Sequence, residues 1–346
     1  MSNIGTATYK LSKYLAQLLA PLGKSKYTVT STDDFINRIK VMKPRSNQKM
    51  ISFDVVSLFT NVPLERTIEI ILKKVYKEKL IKTKIKRDDL KNLLYLCTKE
   101  GHFTFNEETY NQTDGVMMGS PLGSLMANIF MCELENTLVP TMANELEEWT
   151  RFVDDTFALI DPSALERILQ KLNSYDPKIQ FTYEEEKNGM IPFLDVLIKK
   201  NDENQLKTTV YRKKTNNNVY MNWNSFSPRT WKIGTLRNLI RRAMMICSDT
   251  DDLETEIKHL ERVFCEINEY PTKIVKKIIV EEKERHQEKI QEPSTTPGSN
   301  DETTTEDEKT IYINLPFAGP SSRKKIHQSK NTCDLHPKQI RIEICR

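Results

Sequence analysis

The sequence predicts an α+β fold, an antiparallel sheet backed by helices, with a mainly helical region after it. Two observations carry this reading. Strand-type runs joined by short turn signals occur three times, at 102–110, 149–160 and 179–200, and short connections suit antiparallel pairing rather than parallel crossovers. Stretches with apolar residues at helical spacing fall between them.

The chain opens with helices. Leu11, Tyr14, Leu15, Leu18 and Leu19 lie at helical spacing, and a second amphipathic stretch covers residues 35–41. KMISFDVVSLFTNV (49–62) is rich in β-branched and aromatic types, so its first half reads as a strand. Pro63 then suits the first turn of a helix to about residue 79, and another helix is expected over 88–100. GHFTFNEETYNQTDG sets aromatics at 103, 105 and 110 among polar turn residues, the pattern of a short hairpin. Residues 124–150 read as one long helical stretch, and WTRFVDDTFALI (149–160) as a hairpin turning at Asp154-Asp155. Asp161-Pro162-Ser163 starts a helix to residue 175. IQFTYEEE (179–186) and IPFLDVLIKK (191–200) read as two strands joined by Asn188-Gly189, the strongest short hairpin signal.

With 346 residues the chain can bury a real core. Apolar residues at 38%, with only 10 Gly and 15 Pro, exclude a collagenous or wholly disordered chain. Six cysteines form no CxxC pair and no Cys/His ligand spacing, so neither disulfides nor structural zinc are expected. No run of about 18 apolar residues is present, and MSNIGTATYK lacks the apolar core of a signal peptide, which predicts an intracellular protein with no membrane partner.

The net charge of +4 says little; the distribution says more. Residues 204–248 contain no acid, where the overall frequency predicts about six. The same window holds nine bases, including Arg229, Lys232, Arg237 and Arg241, and five aromatics, among them Tyr220, Trp223 and Trp231. Residues 249–289 are highly charged and helical in pattern, whereas 291–310 contain six acids and no apolar residue, a disordered linker.

Two features point to chemistry. Asp54 interrupts an apolar strand, where an ionised carboxylate needs a cation or hydrogen bonds unless it faces solvent at the strand end. Asp154-Asp155 places two repelling carboxylates in a tight turn with no glycine. Short oxygen ligands without His or Cys suit Mg²⁺ or Mn²⁺. Taken alone, Asp54 could instead face solvent at the strand end or pair with an internal lysine, and Asp154-Asp155 could be a solvated loop.

A strand Asp, a Gly-Ser-Pro turn before a helix (Gly119-Ser120-Pro121) and an x-x-Asp-Asp hairpin occur in that order. In this the chain resembles reverse transcriptases. Asp54 and Phe59 match the D-x-x-x-x-[FY] strand of that family, and Phe152-Val153-Asp154-Asp155 its hairpin. The strings SFDVVSLFTNVP, DGVMMGSPLGSLMANIFM, FVDDTFALI, IQFTYEE and PFLDVLI resemble Penelope-like retroelements in particular, over roughly residues 3–290.

The resemblance implies a right-hand polymerase palm with a mainly helical thumb. It implies an RNA template, a DNA primer and deoxynucleoside triphosphates as partners, and two Mg²⁺ ions, or Mn²⁺, held by Asp54, Asp154 and Asp155. Ions so placed would lower the pKa of the primer 3′-hydroxyl and neutralise the leaving pyrophosphate. The Val55 carbonyl would contribute to the nucleotide site. Phe59 would exclude a ribose 2′-hydroxyl, or else is an ordinary core residue. Gly119, with Ser120, would let the backbone approach the nucleotide, or else Gly119 is a plain helix-start glycine. Many relatives carry Gln where Met118 stands. Lys187 would donate a proton to pyrophosphate, or else is a solvated turn lysine. Phe193 and Leu194 match the primer-gripping strand, with Asp195 alternatively capping a turn. Arg229, Lys232, Arg237 and Arg241 would contact primer-template phosphates, with few acids nearby to occupy them.

The organisation implied is 1–48 remaining fingers helices leading into the palm, 49–200 the palm, 201–290 a basic thumb-like region, 291–310 the acidic linker and 311–346 a short basic tail. Measured against intact relatives, the resemblance implies a fragment without the N-terminal fingers strand or a C-terminal GIY-YIG endonuclease. It would act in the nucleus as a polymerase, or persist as a weak or inactive remnant that binds nucleic acid.

Overall fold

The computed structural model describes residues 6–45, 47–99, 102–111, 115–117, 119–291, 311–312 and 340–341. Most of the expected linker and tail, and Met118, lie outside them. The chain divides into two compact units, Met1–Tyr211 and Arg212–Arg346. Among the described residues no helix is long and apolar enough to cross a membrane, and Cys97, Cys132, Cys247 and Cys265 form no disulfide.

The first unit begins with α1 (Tyr9–Leu19) and α2 (Thr32–Ile39). Ser31 caps α2 by accepting the Asp34 N–H at 3.1 Å, and Asp33 and Asp34 favour the positive end of its dipole. Next come β1 (Lys49–Val55), the single turn α3 (Leu58–Asn61), α4 (Leu64–Leu72) and α5 (Arg87–Thr98). A hairpin of β2 (His102–Phe105) and β3 (Glu108–Asn111) follows, then α6 (Pro121–Leu138) with proline in its first turn. The unit continues through β4 (Leu146–Phe152), β5 (Asp155–Ile160), α7 (Leu165–Ser174) and β6 (Phe181–Glu185). It ends with β7 (Met190–Phe193), β8 (Val196–Lys200) and β9 (Leu206–Val210).

The main sheet runs β4-β5-β1-β6, all antiparallel, so β1 is central. The alternation of β1 sends Ile51, Phe53 and Val55 into a core shared with α6, which is apolar nearly all round and therefore buried. On the opposite face, Phe157 of β5 meets Phe35 of α2 at 5.6 Å and Phe193 of β7 at 6.0 Å between ring centres. Each buried phenylalanine contributes about 1.5–3 kcal/mol of transfer free energy, so these rings hold α2 and β7 onto the sheet. At the other end of that face Asp54 is exposed.

Several local expectations are corrected. Residues 146–150 belong to β4, not to a helix continuing from α6: they pair with β5, with a register shift at Leu146/Glu148, and send Leu146 and Trp149 into the core. Residues 191–200 form two strands, since the chain reverses at Leu194-Asp195 with Leu194 at φ +55°. The Asn188-Gly189 turn is present, with both residues at positive φ as a two-residue hairpin demands, and it closes a Lys187↔Met190 bridge. Beyond that bridge β6 pairs with β1 and β7 with β8, so the turn joins two different sheets. Residues 206–210, read with the basic region, pair with β8 as β9.

The second unit contains α8 (Arg229–Ile246), α9 (Thr250–Arg262) and α10 (Thr272–Gln291). Leu236, Ile240, Leu260, Phe264, Val275 and Ile278 form its core. The segment before α8 is pinned by buried Asn268, whose Oδ1 accepts the Tyr220 N–H at 2.7 Å and whose Nδ2 donates to the Asn218 carbonyl at 3.0 Å. Tyr220 stacks on Phe264 at 5.4 Å and Trp223 packs on Tyr270 at 5.1 Å. Tyr220 and Trp223 therefore pack internally, while Trp231 remains 63% exposed.

Candidate functional site

The register of the central sheet brings the candidate carboxylates to one end. The last pair between β1 and β5 is Phe53↔Thr156; one step further along lie Asp54 and Asp155. The β4–β5 turn consists of Val153-Asp154, with Phe152 paired to Asp155. The expected turn at Asp154-Asp155 is thus displaced by one residue, and Asp155 begins β5. Asp154 occupies the turn and faces Asp54 closely enough to disturb its ionisation. Partial loss of water first, and the Asp154 carboxylate second, push the Asp54 carboxyl above its usual range; the Val55 N–H opposes this and Glu184 adds to it.

Among the described residues, no three His, Cys, Asp or Glu side chains converge on one point. Asp54, Asp154 and Asp155 lie at one end of the sheet, and the charge of Asp154 is felt at Asp54. Two facing carboxylate groups fit Mg²⁺, which is commonly held by one or two protein carboxylates with water and substrate phosphates completing its octahedron.

The raised pKa gives a stability prediction with a definite sign. A carboxyl whose folded pKa lies above its unfolded value costs stability when ionised, and the cost vanishes as pH falls below both values. Asp54→Asn should raise the melting temperature of the metal-free protein at pH 7, with a gain that disappears at low pH. Equal melting of the two proteins at pH 7 would refute the cost of ionising Asp54 in this setting.

A second set of contacts joins Phe59 to the loop before α6. Ser57, at φ +48°, turns the chain from β1 into α3, where Phe59 is half-buried against the core. The Phe59 carbonyl accepts the Val116 N–H at 2.7 Å. Gly115, at φ +71°, lies against the Thr60 backbone, where a Cβ would collide. Further on, exposed Gly119 adopts φ +86°, which answers its need for glycine without reference to a ligand. Ser120 is buried, and its hydroxyl has no hydrogen-bond partner among the described residues. Val55 ends β1, opposite Phe181.

Other candidates fall elsewhere. Lys187 is an exposed turn residue of the Asn188-Gly189 hairpin. Phe193 is 2% exposed, with its ring 4.6 Å from Phe35, so a direct side-chain contact with primer is corrected to a core role. Leu194 is half-buried in the following turn, and the Asp195 carboxylate accepts the Thr32 hydroxyl at 2.9 Å.

The basic residues also divide. Arg229 is exposed at the start of α8, its guanidinium 5.3 Å from the Trp223 ring. Lys232 is buried and donates to the Trp223 and Ser225 carbonyls, both at 2.6 Å, so a phosphate contact by Lys232 is corrected to a structural role. Arg237 pairs with Glu281 at 2.6 Å and Glu282 at 3.3 Å, and Arg241 with Glu282 at 2.6 Å. The acid-free window does have internal partners, supplied by α10.

Sequence reasoning missed the group behind the carboxylate turn. Arg151 and Glu135 are both fully buried and paired at 2.6 Å. Arg151 also donates to Asn128 Oδ1 at 2.9 Å and to the Val153 carbonyl at 2.8 Å. Trp149 Nε1 and the Ser25 hydroxyl complete the Glu135 carboxylate at 3.1 and 3.2 Å. The available signal was an arginine between Trp149 and Phe152, two residues before the turn.

A family model described as reverse transcriptase (RNA-dependent DNA polymerase) matches residues 6–216, more than half the chain. The chain belongs to the reverse transcriptase family. A second model, described as an animal helix-turn-helix domain, matches residues 219–280 of this reverse transcriptase. A comparison with curated proteins finds no match. Among solved structures it is similar to telomerase from Candida albicans in complex with a fragment of telomeric RNA, at 11% identity and TM-score 0.52, over 79% of this chain and 52% of that one. It also matches apo telomerase from Candida tropicalis, at 13% identity and TM-score 0.48, over 80% of this chain and 54% of that one. An RNA-dependent RNA polymerase, vp4, matches at 11% identity and TM-score 0.49, over 75% of this chain and 24% of that one. The reverse transcriptase chain spans about half the length of the telomerases it matches, and the Candida albicans likeness places it in the right-hand polymerase fold.

Proposed function

We propose that the chain is an RNA-directed DNA polymerase of a Penelope-like retroelement, transferring nucleotides to a primer 3′-hydroxyl through two divalent ions. The observation that carries this reading is the Asp54/Asp154 pair, placed by β1 and the β4–β5 turn within a segment that matches the reverse transcriptase family. The Penelope-like assignment rests on the strings around Asp54, Gly119 and Asp154. Divalent ions held there would activate the primer hydroxyl and neutralise the departing pyrophosphate. Asp54 and Asp154 would hold them, with Asp155 the weaker ligand.

Protein groups do the remaining work. Gly119 is exposed at the start of α6 and would let the backbone approach a nucleotide, with Ser120 buried directly behind it. Phe59, tethered to that loop through Val116, would meet the nucleotide sugar. Lys187 would serve pyrophosphate departure. RNA template and DNA primer would be held in part by Lys213, Lys214 and Arg229, which are exposed bases of the second unit, and a helix-turn-helix match over 219–280 supports nucleic-acid contact there.

The test is extension of an oligo(dT) primer on poly(rA) with dTTP. Mg²⁺- or Mn²⁺-dependent synthesis is expected, and none with either ion would overturn the polymerase assignment. Phe59→Val should raise incorporation of ribonucleotides relative to deoxyribonucleotides by about tenfold, roughly 1.4 kcal/mol of lost discrimination. An unchanged ratio returns Phe59 to a purely core role.

A further inference from the structure

We propose that Arg151, braced by Glu135, is a positioning residue that fixes the Val153-Asp154 turn and so aims the Asp154 carboxylate. This rests on the polymerase reading for its function, but the positioning itself is a statement about the turn.

The turn contradicts its own sequence. Val153 has φ +58°, a left-handed conformation that β-branched residues rarely adopt and that glycine normally supplies in two-residue hairpins. Something outside the turn must hold it. Arg151 Nη1 donates to the Val153 carbonyl at 2.8 Å. The guanidinium is itself fixed on all sides: Nε and Nη2 lie on Glu135 at 2.6 and 3.2 Å, and Nη1 also donates to Asn128 at 2.9 Å. Trp149 and Ser25 hold Glu135 in turn. The carboxylate turn is therefore anchored to α6, inside the core, through one planar cation.

The molecule contains a second turn of the same kind. Phe193-Leu194-Asp195-Val196 also has an aliphatic residue at positive φ followed by Asp. There the hold is placed on the acid, since Thr32 donates to the Asp195 carboxylate at 2.9 Å. At Val153 the hold is placed on the backbone carbonyl, which leaves the Asp154 side chain for other work. Stability alone does not account for the arrangement, because a buried ion pair is often matched by well-packed apolar residues.

The experiment uses the full chain and two variants, Arg151→Lys and Glu135→Gln. Lysine keeps the charge beside Glu135 but concentrates its donors at one point in place of the planar fork that sets Nε and Nη2 on Glu135 and Nη1 on the Val153 carbonyl, so the two-sided brace is weakened. Amide hydrogen exchange of residues 152–156 in the metal-free protein should quicken by about tenfold in Arg151→Lys while α5 and α7 exchange as before. Mn²⁺ affinity, read by electron paramagnetic resonance, should fall by about tenfold, as expected when a group orienting a metal ligand is removed. Glu135→Gln, the same shape as glutamate, should loosen the same segment by less, and it decides the matter if the lysine variant does not fold. Unchanged exchange at 152–156, or exchange that rises uniformly with lowered melting, would overturn the proposal. A wild-type protein that binds no Mn²⁺ while the turn still loosens in the variants would refute the polymerase reading and leave the positioning role intact.

Discussion

Asp154→Asn is expected to abolish primer extension, by about a thousandfold or more, which corresponds to roughly 4 kcal/mol of lost transition-state stabilisation. Asparagine keeps the shape of the side chain and leaves the Arg151 contact to the Val153 carbonyl untouched, so the turn should persist. What it removes is one of the two charges that face each other across the end of β1. The Asp54 carboxyl should then titrate closer to its ordinary range, because one of the causes that raise it is gone. Primer-template affinity should stay within about twofold, since no phosphate contact is lost. Asp155→Asn should cost less. Substantial Mg²⁺-dependent synthesis by Asp154→Asn would refute the site; a variant that has lost both synthesis and nucleic-acid binding would point to misfolding instead.

The second large effect concerns stability. From the acid-free window alone, replacing Arg237 and Arg241 with alanine is expected to cost binding and little stability. Glu282 reverses that expectation. It is 2% exposed and takes Arg241 at 2.6 Å, Arg285 at 2.9 Å and Arg237 at 3.3 Å, while Arg237 also pairs with Glu281. The double replacement leaves a buried carboxylate with Arg285 alone. Breaking a fully buried pair costs about 3–5 kcal/mol; with both arginines partly exposed, about 2 kcal/mol is expected, read as earlier unfolding of the second unit in urea. Adding Glu282→Leu should recover most of the loss, because the uncompensated charge goes with it.

Acid should act in the same direction. Burial pushes the Glu282 carboxyl up, but the hydrogen bond and charge of Arg241, with the charges of Arg285 and Arg237, outweigh it and hold the carboxyl below its ordinary value of 4.5. A depressed carboxyl contributes stability above its unfolded pKa and loses it as pH falls through the folded one. The wild-type unit should therefore weaken on acidification below about pH 4.5 more steeply than the double variant. For nucleic acid, replacing Lys213, Lys214 and Arg229 should flatten the salt dependence by about 0.9 per lost phosphate contact, and Arg237 and Arg241 should contribute little of that slope. A double variant that folds like the wild type yet loses nearly two units of slope would restore both arginines to the phosphate backbone.

What the sequence determined by itself is what short-range chemistry decides. The strand around Asp54, the helix behind Pro121, the Asn188-Gly189 turn and the helical run at Arg237 and Arg241 were legible because side-chain period, proline placement and turn residues act within a few positions. That Asp54 comes to the same end of the sheet as Asp154 and Asp155 was implied by the family resemblance and not by local chemistry, because β1 and β5 meet across about a hundred residues of sequence. The tertiary structure alone decided which charges are free. Arg241 finds Glu282, which is 41 residues away on α10, and Lys232 turns inward to two carbonyls, so a basic segment that looked unneutralised is partly neutralised by a helix outside the window. Likewise Val153 occupies a conformation its own sequence disfavours, at a turn where a buried arginine bonds its backbone carbonyl. Local propensity at such a turn amounts to about 1–2 kcal/mol, which one well-fixed charged hydrogen bond can override; its partners, Glu135 and Asn128, come from a helix that only the fold brings within reach.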